Sequence, residues 1–133
     1  MGLGNWFSHK AAPLTGAPAI RRTKTYSAQT GYVYRYYYEG HRPFRAGASG
    51  GVEYVFRVAA GGRDGDTAVR VPGAAIRAWE EAHSRQLSST ERYAIAKMAL
   101  FQAFDERPTP AGMSQGINVR AADIETIVET LGA

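Results

Sequence analysis

The chain has 133 residues, 44% of them hydrophobic and 21% charged, the proportions of one ordinary globular domain with a single core. It has no cysteine, which excludes disulfides, thiolate-bound zinc, iron–sulfur clusters and thiol catalysis, and no apolar run near the roughly 18 residues of a membrane-spanning helix. The net charge of +4 is uneven: residues 1–50 carry seven basic groups and one acid, a balance of +6, whereas residues 51–133 carry nine and eleven, a balance of −2.

Residues 1–25 read as a flexible basic N-terminal arm, because Pro13, Gly16 and Pro18 interrupt any regular element. Its positive charges are Lys10, Arg21, Arg22 and Lys24. Trp6 and Phe7 are expected to dock, on this domain or on a partner, since exposed aromatics are costly. The opening MGLGNWFSHK has no apolar stretch of signal-peptide length, and Trp6 stands where a myristoylation motif wants Ser or Thr. With the missing cysteines, this predicts a cytoplasmic protein.

Residues 26–133 read as a single α+β domain. Tyr26 to Tyr38 has the Tyr/Val composition of a strand, with Tyr32, Tyr34, Tyr36 and Tyr38 on one side and Val33, Arg35 and Tyr37 on the other. HRPFRAGASGG then reads as a loop. Gly51 to Ala60 is a second strand, with Val52, Tyr54, Phe56 and Val58 inward and Glu53, Val55 and Arg57 outward. Asp64-Gly65 signals a hairpin turn. Thr67 to Val71 is a third strand, with Val69 and Val71 inward and Arg70 outward. Alternation in all three predicts a three-stranded antiparallel meander, covered on one face and wet on the other.

Helices follow. Pro72 to Ser84 places Ile76, Trp79 and His83 at helical spacing, with Leu87 closing the element. Ser88 to Glu106 opens on a Ser88/Glu91 capping box and stops before Pro108. Tyr93, Ala96, Leu100, Phe101 and Phe104 share one face of it. Ile95 and Met98 lie on another side, which predicts a second packing partner. Ile117 and Val119 suit a short extended piece. Ala121 to Leu131 is a last helix with an Ile124, Ile127, Val128 and Leu131 stripe, acids in its first turn and Gly132 as its cap. Strands followed by helices predict about three helices packed on one sheet face.

No catalytic constellation emerges. His9, His41 and His83 are far apart in sequence and no HExxH motif exists, so no metal or cofactor is expected. Ser88 and Ser89 are explained by helix capping, and there is no GxSxG elbow. Asp64 and Asp66 lack calcium-loop spacing, and the GASGG glycines lack the Lys and Ser/Thr of a phosphate loop. The most suggestive group is the wet sheet face, where Arg35, Arg57 and Arg70 stand on three consecutive strands with Tyr37 among them. Arginine interleaved with tyrosine is how protein interfaces are composed, and also how single-stranded nucleic acid is held. Glu39 and Glu53 fall on the same face and can neutralise the arginines. The expectation is a non-enzymatic binding or assembly module acting through a protein partner or self-association. A nucleic-acid binder using Arg35, Tyr37, Arg57 and Arg70 with Arg21, Arg22 and Lys24 is the alternative, and an unrecognised enzyme the third reading.

Overall fold

The structure, a computed structural model, describes residues 12–46 and 49–132. Five strands lie in the order β1-β2-β3-β4-β5: β1 (Lys24–Ser27), β2 (Val33–Ala46), β3 (Ser49–Ala60), β4 (Arg63–Pro72) and β5 (Ile117–Asn118). The first four pair antiparallel and β5 joins β4 in parallel, so the sheet is mixed. Three helices accompany it: α1 (Gly73–His83), α2 (Ser89–Glu106) and α3 (Ala121–Leu131).

The α+β class stands, but the three-stranded meander does not; the sheet has five strands and is curled. The Tyr26 to Tyr38 run is two strands. Gly31, with φ at +96°, turns the chain, and Ala28 and Tyr32 close the turn with a 2.9 Å backbone hydrogen bond. The expected loop HRPFRAGASGG instead forms much of the facing ends of β2 and β3, which pair as far as Ala46 and Ser49. Pro43 is tolerated there by geometry. His41 spends both its backbone groups on Thr15, outside the sheet, and alternation turns Pro43 to the same open edge, where a missing N–H costs nothing. Gly51 is required by crowding, since a Cβ there would overlap the Val71 carbonyl. The β3–β4 turn is Gly61-Gly62, both with positive φ as a tight hairpin needs, and Asp64-Gly65 lies inside β4 opposite Ala59 and Val58.

The core lies between one sheet face and the helices. Tyr34, Tyr36, Tyr54, Phe56, Val58, Val69 and Val71 supply the sheet side, as the alternation predicts. From α2, Phe104 is fully buried and stacks on Tyr34 at 4.1 Å between ring centres, while Phe101 stacks on Tyr26 at 4.6 Å. Ile95 is buried too, and α2 packs against α3 as well as the sheet, which is the second partner its apolar residues imply. The capping box is formed: Ser88 Oγ accepts from the Glu91 amide at 3.1 Å, and the Glu91 carboxylate accepts from the Ser88 amide at 2.9 Å. α3 buries Ile124, Ile127 and Val128 and ends at Gly132 in the left-handed conformation.

Trp6 and Phe7 lie outside the described residues. Of the basic segment, Lys24 belongs to β1, and Thr15 exchanges two 2.8 Å backbone hydrogen bonds with His41. No helix among the described residues is long and apolar enough to cross a membrane.

Candidate functional site

The outer sheet face carries the residues the alternation singles out. Arg35, Tyr37, Arg57 and Arg70 all point away from the helices. The strand register sorts them into two groups. Tyr37 stands opposite Arg57, and Arg57 opposite Asp66; Glu53 stands opposite both Arg42 and Arg70. Glu53 and Arg57 are four residues apart on one strand, about 13 Å at strand rise. The three arginines are thus not one cluster. Between the groups lies Val55, which is 2% exposed although it points to this face. It lines a hollow of about 210 Å³ shared with Ala68, Arg42 and Arg70.

Most of these arginines are already partnered. Glu53 accepts from Arg42 Nε at 2.6 Å and from Arg70 Nε at 3.0 Å, so one carboxylate ties three strands together. Burial works to raise the Glu53 carboxyl, but the two guanidinium hydrogen bonds outweigh it and hold the group below the usual carboxylate range. Arg57 Nε donates to Asp64 at 2.8 Å, and its outer nitrogen lies 3.6 Å from Asp66. Glu39 occupies a bulge in β2 beside Asp66; burial, then the hydrogen bond with Asp66, push its carboxyl up against the pull of Arg21 and Arg57. Five arginines, at 21, 35, 42, 57 and 70, therefore face four carboxylates, at 39, 53, 64 and 66, leaving one net positive charge. Aromatic surface accompanies them: Arg21 lies 5.4 Å over the Tyr37 ring and Arg70 5.5 Å over Phe44. Val33, on the same side of β2, is 55% exposed.

Sequence reasoning named Glu53 as a neutralising acid but missed Arg42, which the HRPFRAGASGG loop reading hid. It also left Asp64 and Asp66 to a turn, when their place on β4 makes them the partners of Arg57. Among the described residues, Arg35 has no carboxylate within 4.0 Å.

Arg22 and Lys24 go elsewhere. They line a cleft of about 440 Å³ between the N-terminal segment, the edge of β2 and the side of α2. Tyr36, Tyr38, Tyr93 and Lys97 complete its walls. Lys97 was not foreseen, though its signal was present: Tyr93, Lys97 and Phe101 recur every four residues on one face of α2. No group of three His, Asp or Glu side chains suited to a metal ion occurs among the described residues.

Comparison with protein-family models, with curated proteins and with solved structures found no match.

Proposed function

We propose that the protein is a small non-enzymatic binding module of the cytoplasm that docks a protein partner on the outer face of its sheet. The observation that carries this reading is the internal pairing of the arginines. A surface that holds nucleic acid gains affinity by offering unneutralised cations to phosphates. Here Arg42, Arg57 and Arg70 are matched to carboxylates, and the face as a whole carries one net positive charge. What remains is a mixed surface of Arg, Tyr37, Phe44 and Val33, the residue types enriched where proteins meet proteins.

A photo-crosslinking amino acid at Tyr37, with a second at Glu81 on the exposed side of α1 as control, tests this in native extract. A discrete protein adduct from position 37 and not from 81 is the expected result; an adduct with a second copy of the chain makes the partner itself. Nucleic-acid adducts from position 37 overturn the proposal. That second reading has one observation in its favour: among the described residues Arg35 has no carboxylate within 4.0 Å, and Arg21 lies over the Tyr37 ring on the same face. A salt titration of oligonucleotide binding measures it, each phosphate contact adding about one to the slope.

A further inference from the structure

The cleft beside β1 exists because the chain has slack there. Thr15 is pinned to His41 and Lys24 pairs with Tyr36. Nine residue steps separate Thr15 from Lys24, but only five separate His41 from Tyr36. The surplus bows out over the edge of β2 and forms one wall, presenting Ile20, which is 70% exposed. Tyr36 and Tyr38 form the floor, and Tyr93 and Lys97 of α2 the opposite wall. The aromatic side is set by packing: Tyr38 meets Tyr93 edge-on at 4.8 Å, and its hydroxyl is hydrogen-bonded to His41 Nδ1 at 2.9 Å.

The charges in this cleft are all of one sign. Arg42, Arg57, Arg70, Arg85, Arg92 and Arg120 each have a carboxylate within 4.0 Å, but among the described residues neither Lys24 nor Lys97 does. Burial, and then the adjacent Lys24 ammonium, hold the Lys97 amine below its ordinary value. Two ammoniums, with Arg22 also on the lining, meet at a half-enclosed space that no carboxylate lines among the described residues. The cleft's volume falls within the range of small-molecule pockets, roughly 300–1,000 Å³.

We infer that this cleft binds a small aromatic phosphate, its phosphate between Lys24 and Lys97 and its ring against Tyr38 and Tyr93. A phosphate monoester carries about −1.5 to −2 at neutral pH, which matches two lysines better than a carboxylate does. Tyrosine faces and the exposed Ile20 offer the apolar surface that a flat ring covers. This site adjoins the proposed protein-docking face, with Tyr37 on the border between them, and the inference does not rest on that proposal.

Titration of the full chain with phenyl phosphate, followed by amide chemical shifts, tests it, with inorganic phosphate and phenol as half-ligand probes. Saturable shifts at Tyr93 and Lys97 are expected, with each half-ligand at least ~10-fold weaker. Lys97→Gln should weaken phenyl phosphate by about 10-fold or more, and Lys97→Arg should restore most of it, as loss and return of one charge-assisted contact. Lys97→Gln relieves the contact with Lys24 but gives up the 5.8 Å contact of its ammonium with the Phe101 ring, so its thermal midpoint should change little; Lys24→Gln, on an exposed strand residue, gives an independent reading. Absence of saturation, shifts scattered over Arg35 and other surface cations, or equal binding by wild type and both glutamine variants would overturn the inference.

Discussion

Replacing Glu53 by glutamine removes the one carboxylate that joins β2, β3 and β4 on the outer face while keeping its shape. Charge-assisted hydrogen bonds each contribute about 1.5–3 kcal/mol where the partners are buried. Glu53 is buried, its side chain 7% exposed, but the donors are less so, at 26% for Arg42 and 51% for Arg70. On losing the carboxylate both guanidiniums can turn to water, which reduces the loss by about half, and the amide oxygen still accepts one bond. The expected cost is about 1.5–2.5 kcal/mol near neutral pH, well short of the ~3–5 kcal/mol for breaking a fully buried pair. The pH dependence follows from the carboxyl being held below its ordinary value in the folded protein. Near and below an ordinary carboxylate value of about 4.3, the unfolded chain binds this proton more readily than the folded one. The stabilisation is therefore present above that value and lost as pH falls through the lower, folded one. Urea denaturation followed by tryptophan and tyrosine fluorescence, for wild type and Glu53→Gln across that pH range, reads both effects. The gap between the proteins should be widest near neutrality and should narrow on acidification. A gap under about 0.5 kcal/mol at neutral pH, or one unchanged in acid, would refute the claim that this ion triad helps hold the sheet.

Two further predictions concern packing and charge. Phe104→Ala should cost about 3–5 kcal/mol in chemical denaturation, and the half-buried Phe101→Ala about 1–3 kcal/mol; equal losses would mean that the sheet-facing side of α2 is misassigned. Three arginines of the outer face should separate in the same assay: Arg35→Ala within about 0.5 kcal/mol of wild type, Arg57→Ala below about 1 kcal/mol, and Arg70→Ala the largest of the three at about 1–2 kcal/mol, because it, like Arg42, holds the buried Glu53 carboxylate.

What could be read from the sequence was what is determined locally. The α2 capping box needs only Ser88 and Glu91, three residues apart, and the α3 stripe and its Gly132 cap are likewise short-range. The inward faces of β3 and β4 followed from alternation alone. The misreadings arose where a residue's meaning depends on a distant strand. Gly31 was overlooked because the tyrosines on both sides of it continue a strand-like composition. Pro43 reads as a loop residue and Gly51 as the point where a strand only begins, because proline and glycine usually break strands. In this sheet one faces an open edge and the other makes room for the backbone of β4.

The bulge at Glu39 connects these errors to the sites. Before it, Tyr34, Tyr36 and Tyr38 face the core; after it the register shifts, so that His41 pairs with Tyr54 and Arg42 with Glu53. Strict alternation continued past Tyr38 would drive Arg42 into the core, which a charged side chain resists. One extra residue exchanges the two faces of the strand. It turns Arg42 outward to share Glu53 with Arg70, which neutralises that end of the outer face. It turns the His41 side chain inward to the Tyr38 hydroxyl, while the His41 backbone takes up Thr15 at the edge. That second contact anchors the N-terminal segment, and without the anchor the slack between Thr15 and Lys24 would have no wall to form. The balanced outer face and the positive cleft thus both trace to one bulged residue, and deleting Glu39 should disturb both.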